Sequence, residues 1–344
     1  MHGKAGMSKR MRAIGLMSGT SLDGIDIAMI ETDGECSIKR LASAGVDYPE
    51  DFRTRLRQAL SDAAGLAVRT DRPGCLAEVE EELTRRHAEA VLRFIGDKAL
   101  QPFAIDVIGF HGQTVWHDPA NGITVQIGDG ERLARATGID VVYELRAADV
   151  DAGGQGAPLV PVYHQALATR LPERPVAFLN IGGVANLTYV GPNGMLIAFD
   201  TGPGNALIDD FVRERTGRSH DEDGALARAG KADEDALLAL LSHPYFAATP
   251  PKSLDRNAFS RAPVARLSTE DGAATLTAFT AEAVRRGLSV LPDFPRAWIV
   301  TGGGRRNRAL MTELAARLDA MVAPAEALGL NGDAMEAEAW AYLA

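Results

Sequence analysis

Cysteine is scarce in this chain: Cys36 and Cys75 are the only two among 344 residues. They match no metal-ligand spacing and could close at most one bridge, which excludes a disulfide scaffold and fits a reducing compartment. An excess of positive charge is also missing. Lys and Arg total 36 against 46 Asp and Glu, a formal net charge of −10, so the basic stripe of a general nucleic-acid binder is absent. No apolar run reaches the length of a membrane span. The basic start, with Lys4, Lys9, Arg10 and Arg12, meets Ser18-Gly19-Thr20 too soon for a signal peptide. It reads as a frayed end, with Met7 a candidate initiator. These absences point to a soluble, cytoplasmic protein that binds neither nucleic acid nor membrane. With 46% hydrophobic residues, a chain this long suggests two domains, each able to bury a core.

What is present begins with Met17-Ser18-Gly19-Thr20-Ser21-Leu22-Asp23-Gly24-Ile25-Asp26. Ala13 to Leu16 reads as a short buried strand and Ile25 to Ile30 as its antiparallel partner. The turn between them can present backbone N–H groups and two hydroxyls to one point, as a nucleotide phosphate requires. That suggests a phosphate cradle of the actin-like ATPase kind, not a Walker loop. Taken alone, the same residues read equally well as a hairpin turn with two turn signals in a row.

The rest of the chain gives the turn a context. Ser37 to Val46 is expected to be a third strand, and Glu50 to Ala63 and Leu76 to Ala99 to be helices. The second helix carries Val79, Leu83, Ala90 and Phe94 on one face; His87 on that stripe is expected to be packed rather than a ligand. A buried strand from Ile105 to Phe110 is expected to end at His111-Gly112-Gln113-Thr114. A short helix near Arg132 and a strand from Ile139 to Tyr143 follow. This is an α/β pattern with a mixed sheet. Asp151 to Pro158 is too Gly-rich for regular structure and marks a boundary. Beyond it the pattern restarts: strand Pro175 to Ile181, turn Gly182-Gly183, return strand Ala185 to Val190, third strand Ile197 to Phe199, and a helix from Asn205. Ala297 to Val300 is a strand delivering Gly302-Gly303-Gly304 to a helix, and a last helix spans Asp333 to Leu343. The echo implies two related lobes facing a cleft: residues 1–155 and 156–331, with helix 332–344 a candidate to pack back on the first.

Three Gly-rich turns thus stand at strand ends. The tip residues Gly19, Thr20, Ser21, Leu22, Asp23, Gly24, Ile25 and Asp26 and the turn Gly182-Gly183 would hold the outer phosphates. Gly302, Gly303 and Gly304 would sit beneath the sugar and base, with the following helix dipole favouring negative charge. In Asp200-Thr201-Gly202-Pro203-Gly204-Asn205 a carboxylate ends a strand before a rigid bend, a good place for a general base or for an ordinary Asx turn.

Here the chain resembles a known family. Met17 to Asp26, Gly109-Phe-His-Gly-Gln-Thr-Val-Trp-His117, Gln126-Ile-Gly-Asp129 and Gly153 to Pro161 are similar to segments of the anhydro-N-acetylmuramic acid kinases. So are Asn180 to Leu187, Asp200 to Asn205, Pro251-Lys-Ser253 and Met335-Glu-Ala337. The match runs in order from about Ile14 onward. The resemblance implies an α/β fold of two ribonuclease-H-like, actin-like ATPase lobes with mixed sheets around a central nucleotide and sugar cleft. It implies ATP and Mg²⁺ as cofactors, a homodimer, and an anhydro-muramic sugar as substrate. Water and ATP would open the 1,6-anhydro bridge and phosphorylate the 6-oxygen, a combination of inverting hydrolysis and phosphoryl transfer.

On that resemblance Asp200 is the base and Glu336 a second carboxylate of the cleft. His111 and Gln113 are assigned to the sugar, and Arg146 or Lys252 to the lactyl carboxylate. Two departures stand out. The family often has Asp-Phe-Arg where this chain has Glu144-Leu145-Arg146, and the superfamily's aspartate ahead of the first phosphate glycine is replaced by Met17 and Ser18. Asp23 and Asp26 are therefore the candidate metal ligands. The alternatives are a kinase of another anhydrosugar or an ordinary sugar, and a non-catalytic nucleotide-operated binding protein.

Overall fold

The computed structural model describes residues 9–19, 21–172, 174–256 and 258–344. Two units are formed, Met1–Leu167 together with Ala334–Ala344, and Ala168–Asp333. The first unit starts with a meander of β1 (Met11–Ser18), β2 (Gly24–Thr32) and β3 (Ile38–Asp47). Then come α1 (Glu50–Asp62), α2 (Leu76–Asp97), β4 (Val107–Asp118), β5 (Ile123–Ile127), α3 (Gly130–Thr137), β6 (Val141–Val142), α4 (Leu145–Asp151) and α5 (Pro161–Ala168). Its sheet runs β3-β2-β1-β4-β5, and β6 pairs beside the first half of β4. β4 and β6 are parallel to their neighbours β1 and β4, whereas β1, β2 and β3 alternate in direction.

The second unit has the meander β7 (Val176–Ile181), β8 (Val184–Val190) and β9 (Leu196–Pro203). It continues through α6 (Ala206–Thr216), α7 (Ala225–Ala229), α8 (Glu234–Leu241), α9 (Thr269–Arg286), β10 (Ala297–Thr301), α10 (Arg308–Leu318) and β11 (Met321–Pro324). Its order is β9-β8-β7-β10-β11, with β10 parallel to β7 and β11 parallel to β10. Each unit is thus a meander extended by two parallel strands next to its first strand, the ribonuclease-H-like order occurring twice. No helix among the described residues is long and apolar enough to cross a membrane.

The last helix, α11 (Met335–Leu343), belongs to the first unit. The two-residue period of a strand explains its seat. Ile14, Leu16, Ile108 and Phe110 of β1 and β4 face one way and pack with Phe52, Leu83 and Val91 of α1 and α2. Ala13, Met17 and Val107 face the other way and pack with Ala337, Trp340 and Ala341 of α11. Between them Gly15 and Gly109 stand side by side in register. A Cβ on Gly15 would lie 1.8 Å from the Ala337 carbonyl oxygen, and one on Gly109 2.0 Å from that of Trp340. Only glycine admits the helix backbone this closely.

Two expectations are corrected. β4 does not end at His111-Gly112-Gln113-Thr114 but runs on to Asp118 and turns back as β5. Gly112 is a bulge with φ of 69°, where a Cβ would meet the Ile127 carbonyl oxygen at 2.5 Å; its glycine resembles a strand end because bulges use the same residue. The triple glycine does not open a helix directly. Gly303–Arg306 is a 3₁₀ turn, and α10 starts later, its Leu310 N–H capped by Asn307. α4, α5, α8 and α9 carried no clear periodic signal and were not anticipated. His87 is, as expected, fully buried, its Nδ1–H donating to the Leu83 carbonyl and its ring edge-on to Phe110.

Candidate active site

The tip between β1 and β2 is held from below. Thr20 lies outside the described residues. Leu22 has a φ of 57° with its side chain in the core, and its N–H donates to the Gly19 carbonyl oxygen at 3.2 Å. The Arg53 Nε of α1 donates to the Leu22 carbonyl oxygen, and the Tyr48 N–H to that of Asp23. Gly24 is needed because a Cβ would stand 2.4 Å from the Val46 carbonyl oxygen. Ile25 points into the core, so the outward groups of the tip are Gly19, Ser21, Asp23 and Asp26. Ser21 Oγ donates to Asp23 Oδ1 at 2.6 Å, holding that carboxylate over the turn.

Behind the tip lies a buried polar network. Ser18 Oγ donates to Gln113 Oε1 at 2.8 Å, so the Tyr48 hydroxyl, 3.0 Å from Ser18 Oγ, must be the donor to Ser18. Gln113 is fully buried, and among the described residues its amide nitrogen reaches only the Thr114 carbonyl. It therefore fixes the end of β1 from inside the sheet. His111 takes a second role there. Its Nε2 accepts from Arg146 Nε at 2.9 Å and its Nδ1 lies 3.1 Å from the Ser18 carbonyl oxygen. A guanidinium can only donate and a carbonyl can only accept, so His111 is neutral with its proton on Nδ1. Burial, and next the Arg146 charge, hold its pKa well below the usual histidine range.

Arg146, on α4, also donates from Nη1 to the Gly156 carbonyl oxygen at 2.9 Å and lies over the Trp340 ring, 5.4 Å from its centroid. The His111 ring lies tilted against the same indole, with centroids 4.8 Å apart. Glu336, on the first turn of α11, is half-buried; burial raises its carboxyl pKa and Arg146 opposes the rise. The first unit therefore brings together His111, Arg146 and Glu336, with Gln113 behind them. Glu144, where the family often has Asp, is exposed with a φ of 57° and makes no cap bond to α4.

In the second unit the turn at Gly182-Gly183 is laced to the bend after Asp200. Gly204 N–H donates to the Gly183 carbonyl oxygen, Asn205 N–H to that of Gly182, and Asn205 Nδ2 to that of Ile181. The triple-glycine turn packs on the same corner, but two of its glycines answer to the protein itself. A Cβ on Gly302, whose φ is 70°, would lie 2.6 Å from the Ile181 carbonyl oxygen, and one on Gly304 would lie 2.5 Å from Ile181 Cγ2. Gly182, Gly183 and Gly303 have no such neighbour within 3.5 Å, but the Gly182 N–H already donates to the Val184 carbonyl oxygen, which leaves Gly183 and Gly303 as the open positions. Arg305 braces the turn. Its side chain is 4% exposed, bonds the Gly302 carbonyl oxygen, and pairs with Glu326 and Asp333.

Asp200, on β9, is gripped by a later segment. Its N–H donates to the Lys252 carbonyl oxygen, its own carbonyl accepts from the Tyr245 hydroxyl at 2.6 Å, and its Oδ2 accepts from Leu254 N–H at 2.8 Å. The second carboxylate oxygen has no partner among the described residues. Burial pushes the Asp200 pKa up to about 6 against the pull of the Leu254 N–H. One oxygen pinned, one free, and a pKa near neutrality are the properties of a general base. Lys252 Nζ donates to the Tyr245 carbonyl oxygen and lies 4.5 Å from the centre of the Tyr245 ring. Tyr48, Trp340, Tyr245 and Arg305 were missed in the sequence; each acts through a contact made far along the chain, for which no local motif exists.

No group of three or more His, Cys, Asp or Glu able to hold a metal occurs among the described residues. Asp23 and Asp26 offer oxygen donors at the hairpin. That suits Mg²⁺, which keeps several waters and is bound by one or two carboxylates together with substrate phosphates.

A family model described as anhydro-N-acetylmuramic acid kinase matches residues 11–344. A protein of that name from Methylobacterium nodulans is 57% identical over 345 residues, covering 97% of this chain and 92% of its own. Proteins of the same name from Methylorubrum populi and Brucella canis are 54% and 53% identical, each covering 97% of this chain and 91% of their own.

Proposed function

The chain belongs to the anhydro-N-acetylmuramic acid kinase family, and from that premise we propose how its residues divide the work. It is an ATP-dependent carbohydrate kinase acting on an anhydro-muramic sugar. Asp200 removes a proton from water through its free carboxylate oxygen. The hydroxide so generated bonds to the anomeric carbon, the bond from that carbon to the bridging oxygen breaks, and the bridging oxygen takes the γ-phosphoryl group. The products are N-acetylmuramate 6-phosphate and ADP. An alkoxide is a poor leaving group, and its capture by the phosphoryl group removes the need for a separate acid. The pinned Asp200 carboxylate is the observation that carries this reading, because a nucleotide-operated scaffold has no use for a base.

In the first unit the hairpin tip, and in the second unit Gly183 and Gly303, are read as offering backbone N–H groups to the nucleotide; Gly182, whose N–H donates to the Val184 carbonyl oxygen, with Gly302 and Gly304, shapes the turns that present them. His111 and Arg146 serve the sugar, Gln113 the end of β1, and Glu336 the polarity of the sugar site. Mg²⁺, held by Asp23 and Asp26, would neutralise the phosphate charge. By the resemblance the enzyme works in the cytoplasm as a homodimer.

Turnover in heavy-oxygen water tests the reaction. Label is expected at the anomeric hydroxyl of the phosphorylated product. A product without label would mean an ordinary kinase acting on an unbridged sugar. Asp23→Ala is expected to weaken Mg·ATP binding by about tenfold, the worth of one charge-assisted contact, while metal-free ATP binds as before. Titration calorimetry with and without the metal decides it, and equal losses in both would remove Asp23 from the metal.

A further inference from the structure

Resting on the kinase reading above, we propose that His111 is a positioning residue that ties the nucleotide hairpin to sugar recognition. It uses its two ring nitrogens in opposite senses to aim the free edge of the Arg146 guanidinium at the substrate's carboxylate. The muramic side chain gives the sugar one fixed anion, and Arg146 is a guanidinium of the first unit placed beside His111. Nε of Arg146 donates to His111 Nε2, Nη1 donates to the Gly156 carbonyl, and the face lies against Trp340. Three constraints leave the group almost no rotamer freedom. Nη2, which has no protein partner among the described residues, is left to donate a charge-assisted hydrogen bond to the acid.

Lys252, the other cation considered, is committed elsewhere. Its ammonium donates to the Tyr245 carbonyl and rests on the Tyr245 ring, within the segment that grips Asp200. Arginine Nε–H groups usually meet carboxylates, and a neutral histidine in that place orients Arg146 without cancelling its charge. Glu336 lies within electrostatic range of the guanidinium, and it is half-buried on α11 beside Trp340. On its other side His111 donates from Nδ1 to the carbonyl of Ser18, the residue immediately before Gly19 of the tip. One imidazole therefore spans the strand that ends in the phosphate turn and the guanidinium that reads the sugar.

Two substitutions separate the two halves of this role. An asparagine amide mimics Nδ1 and a glutamine amide mimics Nε2. His111→Asn keeps the donor to Ser18 and loses the acceptor for Arg146. We expect it to raise KM for the anhydro-muramic sugar by about tenfold, the worth of one positioned charge-assisted bond, with KM for ATP little changed. A bridged N-acetylglucosamine, which lacks the lactyl group, should show no such rise. His111→Gln keeps the acceptor, so its sugar KM should return most of the way and its defect should move to KM for ATP. Melting curves of both variants accompany the kinetics. Equal effects of the two substitutions, or equal losses for both sugars, would overturn the proposal in favour of simple packing. A wild-type enzyme that turned over neither sugar would overturn the kinase reading itself.

Discussion

Asp200→Asn is expected to bind ATP as the wild type does and to lose about 10² to 10⁴ in kcat, the usual contribution of a general base. The substitution is nearly isosteric. Asn can still accept the Leu254 N–H, and the backbone bonds to Lys252 and Tyr245 do not involve the side chain. What disappears is the lone pair on the unpartnered oxygen. The pH profile gives the same assignment a second, independent reading. The base works ionised, and burial raises its pKa to about 6. Wild-type kcat/KM should therefore fall as pH drops through about 6, by about tenfold per unit below it, and the residual activity of the Asn variant should lack that limb. His111 cannot supply the limb, because Arg146 occupies the nitrogen that would have to take up the proton. Near-normal turnover in the variant would remove Asp200 from the mechanism.

Gly15→Ala is expected to cost stability and activity together. The new Cβ would fall 1.8 Å from the Ala337 carbonyl oxygen and 2.5 Å from the Ala341 nitrogen. Both are backbone atoms of a helix and cannot turn aside as a side chain can. α11 must lift, and overpacking of this kind costs about 1–3 kcal/mol, here expected at the upper end. For a chain of this size that is about 2–4 °C of melting temperature per kcal/mol. Since α11 carries Glu336 and Trp340, the displacement also disturbs the support of Arg146 and lowers turnover. Gly96→Ala is the control. Gly96 lies near the end of α2 with nothing within 4 Å of its would-be Cβ, so alanine there should add about 0.5–1 kcal/mol through helix propensity. A Gly15→Ala protein that melts with the wild type would show that the helix does not sit this close.

The parts of the fold that were legible in the sequence are those with a strong period or a sharp turn. β1, β2 and β3 alternate or run apolar between Gly and Pro signals, and α2 keeps its stripe for several turns. α9 was invisible for a physical reason. Every residue from Gly272 to Ala281 is buried, so no polar face sets off an apolar one. Two of its buried threonines hide their hydroxyls by donating to carbonyls four residues back, Thr275 to Asp271 and Thr277 to Ala273, and Thr280 donates to the Gly204 carbonyl oxygen. The site was legible to a similar degree. Asp200 and the Gly turns announce themselves locally. The grip on Asp200 comes from Tyr245 and Leu254, and Gly302 and Gly304 are also required by their close packing against Ile181. Such reasons exist only once the chain has folded.

The seating of α11 against the paired glycines has a consequence for how the molecule is made. A ribosome delivers β1 and β4 early, yet the helix that covers their second face emerges only after the whole second unit. Until Met335–Leu343 is released, the nascent first unit carries an open seam of backbone along Gly15 and Gly109, beside the strand that leads to the phosphate turn. Domain-by-domain folding from the N-terminus therefore cannot complete this unit until its last helix arrives. Cutting the gene between the units would yield a first half that never closes, and supplying the α11 peptide in trans is the direct way to close it.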